Sequence, residues 1–174
     1  VYASIIILTP LDAGPIGFYG TIPLSDKEEY VMEFTWVSRL IRVADLNHHG
    51  TLFAGETAKW MVEACFIAAA KKNKRTDNVV CVNIQGLQFK RPIENGDVVD
   101  IESFVAHVGT TSITVVGRIH CSRYGDQSIL ETAVTFVTVD DKGKPTPHHK
   151  AMERLEDPEL QAYWDRFESY KKSR

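Results

Sequence analysis

A carboxylate, Glu63, stands inside an otherwise apolar stretch, Trp60-Met61-Val62-Glu63-Ala64. A charge is costly to bury, so a Glu in that setting needs a partner, a solvent-lined cleft or a raised pKa, and the last of these suits a general base. Upstream lies a polar loop, Asp45-Leu46-Asn47-His48-His49-Gly50, whose Asp and Asn are residues that readily bond their own backbone in turns. Gly50 and Gly55 flank the way into the apolar stretch and tolerate a positive φ. If a helix starts there, the N–H of Gly55 and the helix N-terminus can stabilise negative charge developing on an oxygen. Glu63 is then a candidate general base or nucleophile, or else a structural carboxylate, with Glu56 and Asp45 as the fallback acids. Other chemistries fit less well. His48 and His49 are adjacent, so their side chains diverge, and no further ligand set accompanies them, which argues against zinc. No G-x-S-x-G segment is present, which disfavours a serine nucleophile elbow. Lys71, Lys72, Lys74, Arg75, Lys90 and Arg91 are either a solvated face or local contacts for a phosphorylated ligand.

The longest helical signal runs from Thr51 to Lys72, free of Pro and basic in its last turn, which suits a helix C-terminus. Its alanines and large apolar residues lie nearly all round, predicting a helix buried on most sides. A first strand is expected over Glu33 to Val43. Four more runs rich in Val, Ile, Thr and Phe follow, Val79 to Phe89, Asp97 to Val108, Thr111 to Ser122 and Ser128 to Val139. Their short connections demand antiparallel neighbours. In the third, Ile113, Val115, Ile119 and Cys121 alternate with Thr114, Arg118, His120 and Ser122. Gly86 falls where the apolar phase changes and predicts a bulge that bends its strand. A last helix should begin with Asp157 as N-cap and Pro158 at its first position, with Leu160, Tyr163, Trp164, Phe167 and Tyr170 on a packing face.

These 174 residues suit one domain with a substantial core, and 44% apolar with 25% charged residues is a globular composition. A net charge of -3 supplies no general basic face for nucleic acid. Residues 1–32 read as a lead-in arm broken by Pro and Gly, 33–145 as the domain, and 146–174 as a tail with its helix. The apolar start Val1 to Leu8 has no basic flank or small-residue cleavage site and is far shorter than the roughly 20 residues that span a bilayer. Cys65, Cys81 and Cys121 lie apart in apolar segments and read as small core residues. They fit a reducing compartment, so a cytoplasmic protein with no membrane association is expected.

One strand, a long helix and four antiparallel strands is the order of the hotdog fold, an α+β fold whose sheet wraps a central helix. The stretch from Asp45 to Gly55, running into Trp60 to Ala64, closely resembles the D-x-N-x-x-G-x-x-x-G-G motif of the acyl-CoA hydrolase branch of that fold. That branch includes brain-type cytosolic acyl-CoA hydrolases and small bacterial acyl-CoA thioesterases. Phe89-Lys90-Arg91-Pro92-Ile93 with Gly96-Asp97-Val98-Val99 is similar to its F-x-K-P-I-x-x-G-D-x-V segment, and Val108 to Ile113 to its V-G-x-S-S-I turn. The resemblance covers about Glu33 to Pro145. It implies a thioesterase that converts acyl-CoA to free fatty acid and coenzyme A, in a site shared by two subunits of a homodimer, with a trimer of dimers as a further possibility. Coenzyme A enters as part of the substrate, and no cofactor or metal is required. The resemblance places Asn47 at the thioester, where it positions water or the carbonyl. Lys90 or Arg91 then contacts a coenzyme A phosphate, and Gly109, Thr110, Thr111 and Ser112 offer N–H and hydroxyl groups to pantetheine or pyrophosphate. One departure bears on the mechanism. The position that carries the acid in related enzymes is Val62 here, and Glu63 is one step on, turned by about 100°. A non-catalytic acyl-CoA-binding protein and a hydroxyacyl-thioester dehydratase are the competing expectations. For the dehydratase, the central helix lacks the needed His.

Overall fold

The computed structural model describes residues 33–125, 127–152 and 157–172, with side chains of the last helix described to Glu168. The arm expected over 1–32 lies outside them. Five strands, β1 (Phe34–Leu40), β2 (Val79–Gln85), β3 (Val98–Val108), β4 (Ser112–Cys121) and β5 (Leu130–Thr138), form one antiparallel sheet in the order β1-β3-β4-β5-β2. Helix α1 (Ala54–Asn73) packs on one face and α2 (Pro158–Lys172) on the other. This is the expected α+β arrangement.

The alternation read in β4 sets the layers. Ile113, Val115, Ile119 and Cys121 point into the main core with Trp60, Met61, Ala64, Cys65 and Ala68 of α1. On the opposite face Phe104, Ala106, Val116 and Ala133 pack with Phe167, and Leu160 and Tyr163 flank them. Gly117 lets α1 come close, because a Cβ there would stand 2.3 Å from Met61 Sδ and 2.8 Å from Cys65 Sγ. Asp157 caps α2 as expected, its Oδ1 accepting the N–H groups of Glu159 (2.9 Å) and Leu160 (3.1 Å).

Several boundaries differ from expectation. β1 ends at Leu40, where the chain turns through a short 3-10 segment, Val43–Asp45. α1 begins three residues late because Leu52 bridges to Leu46, and Thr51 to Glu94, as extended chain. β2 ends at Gln85 instead of Phe89. Gly86, at φ +69, stops the strand, and the register shift falls earlier, between Cys81 and Asn83. The helix is also covered on fewer sides than its composition suggested. Its sheet-facing stripe is buried, whereas Phe53 just before it and Ile67 are exposed. Cys65 and Cys121 are core residues, but Cys81 is exposed because β2 is an edge strand.

Candidate active site

The loop into α1 is built by Asn47. Its Oδ1 accepts the N–H of His49 (2.8 Å) and of Thr51 (3.4 Å), its Nδ2 donates to Thr51 Oγ1 (2.9 Å), and its own N–H donates to Thr51 O (2.7 Å). Gly50 closes this turn at φ +78, a left-handed conformation suited to Gly. Asp45 secures the other side, with Oδ2 accepting the Arg42 N–H (2.9 Å) and its carbonyl accepting the Phe53 N–H (2.9 Å). The N-cap of α1 is Phe53, which supplies no side-chain cap. Helix bonding begins with the Thr57 N–H to Phe53 O (3.1 Å), so the N–H groups of the first turn carry the positive end of the helix without a capping side chain. At Gly55 a Cβ would sit 2.4 Å from the Phe53 ring, so only Gly lets that exposed ring lie across the first turn.

The opposite wall is the 89–93 segment. Leu52 N–H donates to Ile93 O (2.7 Å), and Tyr124 Oη donates to Pro92 O (2.7 Å) with its ring 5.0 Å from the Arg91 guanidinium. Arg123 ties Asp97 (2.9 Å) and Glu94 (2.8 Å) together behind it. Between the walls lies a cleft of about 300 Å³, lined by Asn47, Thr51, Ala54, Thr57, Phe89, Lys90 and Arg91 among others. Two motifs separated by some forty residues of chain thus meet at one helix N-terminus. Thr57 went unnoticed in the sequence. It is 1% exposed, lines the cleft and donates Oγ1 to Phe53 O (3.2 Å). Tyr124, which also drew no notice there as a site residue, holds the second wall.

Not every expected residue joins the cleft. Glu63 turns toward β1, where its Oε2 accepts from Arg39 Nη2 at 3.2 Å, with side chains 51% and 38% exposed. The same Arg39 lies 4.9 Å from the Trp60 ring. Glu56 pairs with Lys59 at 3.0 Å. The Gly109 to Ser112 turn is at the far end of β3 and β4 from the cleft, about 30 Å away for a ten-residue strand. Its carbonyls serve the chain itself: Thr111 O accepts from Thr138, and Thr110 O from the N–H of His148. His148, beside this turn, is half-buried, and burial pushes its pKa down. Burial also pushes the Cys65 thiol up to about 12, which keeps it protonated and poorly nucleophilic. Among the described residues, no group of three or more His, Cys, Asp or Glu is placed to hold a metal ion.

The fold agrees with comparisons to known proteins. The model of the thioesterase superfamily matches residues 49–125. The acyl-CoA thioester hydrolase YciA of Salmonella typhimurium is 31% identical over 112 residues, covering 60% of this chain and 81% of that protein. YkhA of Bacillus subtilis, described as an uncharacterized acyl-CoA thioester hydrolase, is 31% identical over 116 residues, covering 65% of this chain and 66% of that protein. The acyl-CoA hydrolase of Staphylococcus aureus, solved with butyryl coenzyme A, coenzyme A and coenzyme A disulfide, superposes with a TM-score of 0.67 at 28% identity, over 80% of this chain and 87% of that one. An apo-hexameric acyl-CoA thioesterase gives 0.69 at 30% identity, over 80% and 89%. The chain belongs to the hotdog-fold acyl-CoA thioester hydrolases. The Staphylococcus aureus enzyme has also been solved with Ala in place of an Asn and of an Asp fifteen positions apart. Fifteen positions beyond Asn47 this chain has Val62.

Proposed function

We propose that this protein hydrolyses acyl-CoA to free fatty acid and coenzyme A in the cleft at the N-terminus of α1. The observation that carries this reading is the convergence of the Asn47 loop, the uncapped first turn of α1 and the Lys90-Arg91 wall on one cleft. Water adds to the thioester carbonyl and gives up a proton. The oxyanion is held by the Gly55 N–H and the helix N-terminus, and collapse of the adduct expels the coenzyme A thiolate, which takes up a proton. One preorganised donor of this kind is worth about 3 to 4 kcal/mol in the transition state. Asn47 holds the loop that orients the carbonyl, and Asp45 fixes the base of that loop. Lys90 and Arg91 meet the phosphates of the coenzyme A handle. Hydrolysis by this route needs no metal or redox cofactor.

Glu63 is assigned to water activation. It is the one carboxylate of α1 beyond the first turn, and its half-exposed side chain is open to a neighbouring subunit although it lines no part of its own chain's cleft. The Arg39 pair counts against it only weakly, because an ion pair this exposed is worth about 0–1 kcal/mol.

A homodimer is the minimum unit in this reading. Among the described residues β2 has β5 on one side only, and it leaves Val80, Val82 and Ile84 exposed. Antiparallel pairing of two such edges about a twofold axis sets each subunit's Gly109 to Ser112 turn at the same end as its partner's cleft. That resolves the separation of about 30 Å within one chain. A second exposed apolar group, Trp36, Leu40 and Val98, lies away from β2 and suits assembly of dimers into the hexamer named for the solved relative. No helix among the described residues is long and apolar enough to cross a membrane, and a cytoplasmic setting is supported by three unpaired cysteines.

The test is thiol release from a series running from acetyl- to palmitoyl-CoA. Turnover above background with at least one chain length is expected. Rates at the no-enzyme level throughout would falsify the assignment.

A further inference from the structure

The segment that follows β5 folds back onto the turn between β3 and β4, and His148 joins the two. Thr146 first returns the chain to the end of β5, its N–H donating to Thr138 O (2.8 Å). The His148 N–H then donates to Thr110 O (3.3 Å), and the half-buried ring reaches the same turn. Its partners fix its chemical state. Ser112 O can only accept, so Nε2, 3.3 Å away, carries a hydrogen and donates it. The Lys150 N–H can only donate, so Nδ1, 3.0 Å away, is bare and accepts. The ring is therefore a neutral imidazole in its Nε2–H form, and an imidazolium would set an N–H of Nδ1 against the N–H of Lys150. A strained residue maintains this arrangement. His149 lies at φ +54, left-handed for a residue with a side chain, at the bend that returns the Lys150 N–H to the ring.

The turn is gripped through its carbonyls. Thr110 O takes the His148 N–H, Thr111 O the Thr138 N–H (2.9 Å), and Ser112 O both the Gly109 N–H (2.8 Å) and the ring. Among the described residues the N–H groups of Thr110 and Thr111 have no acceptor. Resting on the acyl-CoA reading above, in which this turn meets substrate held in a partner's cleft, we infer that His148 is a positioning residue. While neutral it locks the turn in the shape that binds coenzyme A, and its protonation releases the turn and weakens that binding. Burial lowers the pKa of the ring, the carbonyls of Ser112 and Gly109 act against that, and the charges of His149 and Lys150 act with it. Lys72 of α1 is close enough to Lys150 for the two charges to repel. Because the pKa lies below the ordinary value of about 6.5, the lock is complete above that pH and is lost as pH falls through the lowered pKa. His148 lies beyond Pro145, outside the region of family resemblance.

The experiment is calorimetric titration of the full chain with coenzyme A between about pH 8 and about pH 5, the range in which a His changes charge. His148→Gln keeps a donor for Ser112 O and cannot titrate, whereas His148→Ala removes the lock at every pH. The substrate phosphates titrate near pH 6 as well, but equally for every protein, so the comparison between proteins isolates the ring. On acidification Kd should rise by roughly threefold to tenfold more in the unaltered protein than in His148→Gln, the scale of a lost hydrogen bond or two. His148→Ala should bind more weakly by that factor already at the alkaline end. KM for acyl-CoA should follow Kd in each protein, with kcat little changed. Long-range proton–nitrogen NMR should show the Nε2–H form of His148 before any ligand is added. The same pH profile in the unaltered protein and both variants overturns the inference, and so does an Nδ1–H ring. If coenzyme A binds to none of them, the acyl-CoA reading fails and the inference with it. If Kd follows His148 while no acyl-CoA is turned over, the thioesterase reading fails alone and His148 keeps its role in binding.

Discussion

Glu63 and Asn47 lie in one segment, yet they take different kinds of position. Asn47 makes its hydrogen bonds within four residues of itself, so its place was readable from the local order Asp45 to Gly50. The direction of Glu63 depends on the rotation of α1 against β1, which local sequence does not encode, and there it meets Arg39. Glu63→Gln should lower kcat by roughly 10²-fold or more if it activates water, the usual scale for a lost general base. Tm should barely move, because the pair it breaks is exposed. Unchanged kcat in Glu63→Gln, measured beside Asn47→Ala, would show that the carboxylate is structural. Asn47→Ala should lose both activity and stability, since it removes three hydrogen bonds at the mouth of the cleft. The residues that the sequence did not reveal share a cause. Thr57 looks like an ordinary helical Thr until its burial is known, and the hydrogen bond of Tyr124 to Pro92 spans 32 positions. Nothing in either neighbourhood marks such contacts.

Among the elements, the five strands and both helices were legible because apolar periodicity and turn residues are local signals. Their ends were less so. The late start of α1 follows from bridges made by Thr51 and Leu52 to distant chain, and the early stop of β2 from the left-handed Gly86. The buried stripe of α1 was overestimated for a related reason. Composition records how apolar a helix is but not whether its outer side is met by the same chain. The sheet-facing side is closely fitted, and Gly117 tests that fit. Gly117→Ala puts a Cβ 2.3 Å from Met61 Sδ, deep between sheet and helix, where relaxation means shifting α1 or forcing Met61 off its rotamer. A loss of about 1–3 kcal/mol is expected in urea unfolding. The double variant Gly117→Ala with Met61→Ala should recover part of the Gly117 penalty, because the contact that causes it is gone. A stability unchanged within 0.5 kcal/mol, on the scale of ordinary surface substitutions, would mean that α1 sits further from β4 than described.

For the whole molecule, the question is why a chain with a complete core leaves the β2 edge of its sheet unpaired among the described residues. An exposed edge strand is a template for pairing with another chain, and proteins usually blunt such edges with charge or Pro. Here β2 reads Val-Val-Cys-Val-Asn-Ile-Gln, with no charge and no Pro. The same edge lies beside the 89–93 wall, so a partner docked there borders the cleft. Val82→Lys places a cation in the middle of this edge at a residue that is 56% exposed in the single chain, so the subunit's own packing is hardly touched. Sedimentation should show smaller species than the unaltered protein, with far-ultraviolet circular dichroism unchanged. Thioesterase activity should fall in proportion to the dimer lost, and raising protein concentration should restore both together by mass action. Activity that persists in a Val82→Lys monomer would show that one chain suffices for catalysis. The Gly109 to Ser112 turn would then have no route to the cleft, and the shared-site reading would have to be given up.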